Sequence, residues 1–201
     1  MANLMDLLQG QLQNGLLDQL TNQLGGANKE QTESATNLGL STILGALSKN
    51  AAKPEGLQGL FGALEKTHDG AILENISGLL SGNASGKDAD GMGILSHLLG
   101  GSNIFNVVNA MSKGSGLSRN NSMNLLMKLA PVALGMLGKQ KKQQQMQPSN
   151  LLDYLKSSNQ QVQQKMPQQN LIEKMLDRDG DGSVMDEIAG MGMKALGNLF
   201  R

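Results

Sequence analysis

Leu4, Leu7, Leu8, Leu12, Leu16, Leu17, Leu20 and Leu24 recur largely at three- and four-residue intervals. That spacing places them on one stripe of an α-helix, and a leucine stripe of this length has to be buried against other elements. Gly25 and Gly26 end the pattern. Asn28 followed by Gln31 has the form of a capping box opening a second helix, and Gly39 followed by Ser41 predicts a break before a third helix that ends near Lys49. The residues thus describe a three-helix module. Aromatic side chains make up only 2% of the chain, so the residue types that favour strands are scarce. The fold class predicted is all-α, with 26 glycines cutting the helices into short pieces.

The module returns later in the chain. Gly26, Lys29, Leu44, Gly45, Leu47 and Lys49 correspond in order and spacing to Gly116, Arg119, Leu134, Gly135, Leu137 and Lys139. The sequence therefore predicts an internal duplication, with copies over about 5–49 and 95–139 inside a helical body spanning 1–139. Ser118 takes the capping place of Asn28, and Pro131 falls where Ser41 stands, suited to the first turn of a new helix. A helix-loop-helix over 54–81 connects the copies, and the Gly-, Asn-, Ser- and Asp-rich run from Ser81 to Gly93 is expected to be a mobile surface loop. From 140 to 169 the composition turns to Gln, Lys, Asn and Pro, which predicts a low-complexity linker with one short docking helix at Leu151 to Leu155. Residues 170–201 then form a unit of acidic loop and C-terminal helix.

That loop carries the one site with readable chemistry. Asp177, Asp179, Asp181, Gly182 and Ser183 stand at positions 1, 3, 5, 6 and 7 of an EF-hand-like calcium loop, in which alternate oxygens converge on a hard cation and the glycine makes the sharp turn. Position 7 contributes its carbonyl. The twelfth position, which should be a bidentate Glu, is Ile188, with Asp186 and Glu187 falling just short of it. A shortened loop can bring either carboxylate back to Ca²⁺; alternatively, Ser183 and Asp186 form an N-cap pair starting the last helix. The two uses are compatible. Three aspartates so close together repel one another without a cation. A weaker counterpart stands at Glu65, Thr67 and Asp69, because Leu64 to Gly78 resembles Leu176 to Gly190.

Other chemistry has little to stand on. The chain has no cysteine and two histidines, His68 and His97, without zinc-ligand spacing. No nucleophile elbow, phosphate-binding loop or metalloprotease motif occurs, so an enzyme is not expected and no small-molecule substrate is identified. Met92, Met111, Met123, Met127 and Met136 lie mostly at helical spacing and are expected to fill the core. Lys plus Arg equals Asp plus Glu at 17 each, which removes the strong positive field that supplies non-specific nucleic-acid affinity. Lys139, Lys141 and Lys142 complement a helix C-terminus. With no basic leader, no apolar run long enough to span a bilayer and no Cys, the expectation is a cytoplasmic chain without signal peptide or membrane span.

The order of LGLSTILGALSKN from Leu38, HDGAILENISGLL from His68, GILSHLLGG from Gly93 and LAPVALGMLGK from Leu129 resembles the bacterial domain-of-unknown-function family 937, the YidB-like proteins. The resemblance covers roughly Met5 to Lys142, and the segment from Asp177 looks like the acidic stretch that often follows in longer members. It implies an all-α fold of homeodomain-like three-helix units in a bacterial, cytoplasmic setting, and supplies no catalytic residues.

Two readings of function remain. The first is a non-catalytic interaction or assembly protein, joined to a protein partner or to itself, whose acidic loop binds Ca²⁺ and orders the last helix. Val184, Ile188, Met191, Ala195 and Leu199 give that helix an apolar stripe. The alternative is a helix-turn-helix-like nucleic-acid binder, disfavoured by neutral charge and by a basic face confined to Arg119, Lys128 and Lys139 to Lys142.

Overall fold

A computed structural model describes residues 3–165 of the chain. The leucine stripe forms α1 (Leu4–Gln11), a π turn (Leu12–Leu16) and α2 (Leu17–Gln23). Leu8, Leu12, Leu16, Leu20 and Leu24 are all buried, yet residues spaced strictly by four drift around a helix of about 3.6 residues per turn. One wider π turn resets the stripe onto a single face. Asn3 caps α1, its side chain accepting a hydrogen bond from the Asp6 N–H at 2.8 Å.

Two long helices follow this pattern in the two halves. α3 (Lys29–Ala51) opens on the expected capping box, with the Asn28 side chain accepting from the Gln31 N–H at 2.8 Å. Next come α4 (Pro54–Lys66), a 3₁₀ turn (Ala71–Asn75) and α5 (Ile76–Leu80), which realise the connecting helix-loop-helix. The second half contains α6 (Gly91–Leu99), α7 (Gly101–Ser115) and α8 (Arg119–Gln143), and α8 is capped by Ser118, whose hydroxyl accepts from the Asn121 N–H at 3.1 Å. The turn into each long helix passes through a left-handed glycine, Gly26 at φ 80° and its counterpart Gly116 at φ 76°. No strand occurs among the described residues.

The two long helices make reciprocal contacts. Gln31 in the first turn of α3 donates to the Gly116 carbonyl of the second half at 3.2 Å. Its counterpart Asn121 in α8 donates to the Leu24 carbonyl of the first half at 2.7 Å. Each long helix thus ties down the turn that precedes the other. Gly39 and Leu129 occupy equivalent positions in the repeat, and they meet each other: a Cβ on Gly39 would lie 2.9 Å from Leu129 Cδ1 and 3.1 Å from Met111 Cε. Leu129 is buried, 1% exposed, in the hollow that Gly39 leaves.

That contact corrects one expectation. The break predicted at Gly39 and Ser41 does not form, and α3 runs unbroken through both. Gly39 is present for close helix approach, and the Ser41 hydroxyl folds back onto the Asn37 carbonyl at 2.6 Å within the helix. Pro131 likewise stands inside α8 instead of opening a helix. Proline has no N–H to give the carbonyl of Met127, four residues back. Gly91, the first residue of α6, packs on that carbonyl so closely that a Cβ there would fall 1.9 Å from the oxygen. The second and third helices of each expected homeodomain-like module are therefore one helix.

The Gln-rich stretch also differs from expectation. α9 (Pro148–Lys165) is far longer than the short helix predicted within a linker. Leu151, Leu155, Ser158 and Val162 are buried at spacings of four, three and four, and the Ser158 hydroxyl accepts from the Leu4 N–H at 3.3 Å. Polar composition hid an apolar stripe that docks on the start of α1. The chain divides into two compact units, Met1–Val162 and Gln163–Arg201.

Because Gly138 packs against backbone whereas Gly39 packs against flexible side-chain tips, alanine at the two positions should have unequal effects. Gly138→Ala places a Cβ 1.7 Å from the His68 carbonyl oxygen and is expected to cost about 2–3 kcal/mol by overpacking. Gly39→Ala is expected to stay within about 1 kcal/mol, since small shifts and the gain in helix propensity oppose each other. Urea unfolding of both variants checks this order; equal losses would contradict it.

Candidate functional site

The C-terminal half of α8 is buried on every side, from Pro131 through Gly138. Its glycines make room for the loop that follows α4. A Cβ on Gly135 would meet Ile72 Cγ2 at 2.6 Å, and one on Gly138 would meet the His68 carbonyl. The Thr67 and His68 N–H groups both donate to the Ala63 carbonyl, at 3.0 and 2.9 Å, closing α4. His68 is therefore held by its backbone on both sides. Its ring is only 7% exposed, and Nδ1 is buried without a hydrogen-bond partner among the described residues. Burial holds the imidazole below its ordinary pKa of 6.5, outweighing the opposite pull of Asp88.

Beside His68 lies a cleft of about 410 Å³ between α4 and α6, within the size range of small-ligand sites. Leu60, Ile94 and Leu134 are its buried floor, with Leu98 half-buried beside them. Lys87, Asp90 and His97 are exposed at its rim, and Thr67 completes the polar edge. Asp90 is the one carboxylate lining the cleft. One of its oxygens is already occupied, accepting from the Gly93 N–H at 2.9 Å as the N-cap of α6. Asn50 fixes the far wall by donating to the Leu98 carbonyl at 2.9 Å. Both histidines of the chain line this one cleft. No local motif announces it, because its residues come from α3, α4, the loop before α6, α6 and α8.

The residues singled out from sequence are distributed differently. Asp177, Asp179, Asp181, Ser183, Asp186 and Glu187 lie outside the described residues, as do Val184, Ile188, Met191 and Leu199. Of the weaker loop, Glu65 pairs with Lys141 at 3.0 Å and Asp69 with Lys142 at 3.6 Å. The Asp69 carboxylate also accepts from the Ala71 N–H at 3.1 Å, and Thr67 closes α4. Among the described residues no group of three or more His, Cys, Asp and Glu side chains is placed to hold a metal.

The basic run at the end of α8 is used within the fold. Lys141 is buried, with its ammonium 4.0 Å from the centroid of the Phe61 ring and within reach of Glu65; such a cation over an aromatic face is stabilised by the ring quadrupole. Lys128 donates to the Leu80 carbonyl at the end of α5. Met111 and Met136 fill the core as expected, but Met92 is 41% exposed, and Phe105 on α7 is 65% exposed. No helix among the described residues is long and apolar enough to cross a membrane.

The His68 shift sets a pH dependence of stability. Its folded pKa is depressed, so the unfolded chain binds the proton more readily, and this contribution is complete above the unfolded value and declines as pH falls below it. Thermal unfolding should show the native protein losing stability from roughly pH 7 to pH 5, with a shallower slope for His68→Gln. Identical slopes would show that His68 does not contribute.

Comparison with known proteins returns neither a curated protein nor a solved structure that matches. Residues 6–140 match the family described as bacterial protein of unknown function, DUF937. That match spans most of the chain and includes both long helices, both histidines and the cleft between α4 and α6, so the chain belongs to the DUF937 family.

Proposed function

We propose that this protein is a non-catalytic binding and assembly protein, with a ligand cleft in its helical unit and a calcium-binding acidic loop in its C-terminal segment. The observation that carries the reading is the state of the cleft's polar groups. A histidine acting as general base is usually oriented by a carboxylate hydrogen-bonded to it, but Asp88 acts on His68 without bonding Nδ1, Asp90 is engaged in capping α6, and Glu65 and Asp69 face lysines. An apolar floor with a few polar groups at its rim suits recognition of a ligand. The exposed Met92 and Phe105 on the α6–α7 hairpin add apolar surface that supports a protein contact.

The nucleic-acid reading has less support. A recognition helix needs a free face, whereas α3 and α8 pack closely on each other at Gly39 and Leu129. Part of the basic face is used within the fold: Lys128 bonds a helix end and buried Lys141 pairs with Glu65.

Calcium binding rests on the spacing of Asp177, Asp179 and Asp181 with Gly182. Calorimetric titration of chelator-stripped protein is expected to show saturable binding of about one Ca²⁺, lost in Asp181→Ala, with light scattering showing a larger mass when calcium is present. No heat into the millimolar range, the weak limit for such loops, and a constant monomer mass with and without calcium would overturn the reading.

A further inference from the structure

We propose that the cleft between α4 and α6 binds an amphipathic monoanion, a small molecule with an unbranched apolar tail and a single anionic head such as a medium-chain carboxylate. The proposal deepens the reading of the helical unit as a binding module, and is independent of the acidic loop. The tail is selected by the floor: Leu60, Ile94, Leu98 and Leu134 offer hydrocarbon alone, and burying an alkyl chain against it contributes about 0.8 kcal/mol per methylene.

The head is selected by an imbalance of donors and acceptors at the rim. Lys87 and His97 make no ion pair among the described residues, and Thr67 lines the same cleft. Asp88 acts on His68 but is not among the lining residues, and the single carboxylate that lines the cleft, Asp90, is partly neutralised as an acceptor by the Gly93 N–H and by the positive end of α6 that it caps. A bound anion supplies the acceptors that Lys87, His97 and Thr67 lack, in charge-assisted hydrogen bonds. A cation would be repelled by Lys87 and find one oxygen of its one lining carboxylate already engaged.

His68 makes the wall of the cleft stiff. Its backbone is fixed to α4 on one side and packed on Gly138 on the other, so the concavity is formed before a ligand arrives, which lowers the ordering cost of binding. The ring itself is nearly enclosed. Ligand contact therefore falls on the exposed imidazole of His97, while His68 senses occupancy from the wall.

Because the chain contains only two histidines and both line the cleft, the imidazole carbon-bound proton signals of the full-length protein report on it directly. Titration with octanoate is expected to move both signals saturably. Lys87→Met, at an exposed position, should weaken octanoate about tenfold while leaving the fold unchanged. Ala63→Phe, which fills the cleft, should abolish the shifts, with circular dichroism confirming that the helices persist. Acetate, with head but no tail, and octanol, with tail but no head, should bind at least about tenfold more weakly. Absence of shifts into the millimolar range, shifts equal to those caused by acetate, or an affinity for octanoate unaffected by Lys87→Met would each overturn the proposal. Octanol binding as tightly as octanoate would also overturn it, by removing the anionic head from recognition.

Discussion

Leu129 seated in the hollow of Gly39 is the contact on which the rest of the fold depends. The two positions correspond in the sequence repeat, and they touch where α3 and α8 pack closely. Both side chains would need the same space, so the pair cannot both be large. One half contributes a leucine and the other a glycine. Once the long helices are locked at that distance, Gln31 and Asn121 reach across to the opposite turns and close both ends of the arrangement.

Burial of α8 follows from the crossing, and the cleft follows from the burial. With one side of α8 against α3, its remaining surface has to be covered by the loop after α4 and by α6. Gly135 and Gly138 admit the loop, and the Met127 carbonyl that Pro131 cannot serve receives Gly91 at the start of α6. α4 and α6 are thereby held beside the same stretch of α8, and Leu134 is left as the floor between them. The concavity is a consequence of covering one helix with two short elements. Lys141 and Lys142 reinforce it by tying the end of α8 to α4 and the following loop, and buried Lys141 is thereby taken from the surface that a nucleic acid would need.

The parts of this architecture that were legible in the sequence are those set by local chemistry. The caps at Asn28 and Ser118, the leucine stripe of α1 and α2 and the connecting helix-loop-helix all depend on residues within a few positions of one another. Gly39 and Pro131 misled because a glycine or proline that ends a helix and one that admits a neighbour look alike along the chain; only the residue packed against it distinguishes them. The stripe Leu151, Leu155, Ser158 and Val162 was masked by glutamines on the other faces of α9, and composition spoke for the exposed side alone. The cleft left no trace, since Asn50, Leu60, His68, Lys87, His97 and Leu134 are brought together by packing and share no spacing. His97 is exposed on α6, whereas His68 is buried in the loop that follows α4.

A double-mutant cycle at the crossing tests the interlock most directly. Leu129→Ala should cost about 2–5 kcal/mol by leaving a cavity, and Gly39→Leu should cost about 1–3 kcal/mol or more by driving a side chain into Leu129. If the two side chains share one space, the double variant places a leucine from α3 where the leucine of α8 stood, and urea unfolding should return a favourable coupling of about 2 kcal/mol. Losses that simply add would mean that Gly39 and Leu129 do not face each other, and the close packing of α3 on α8 at this point would be wrong.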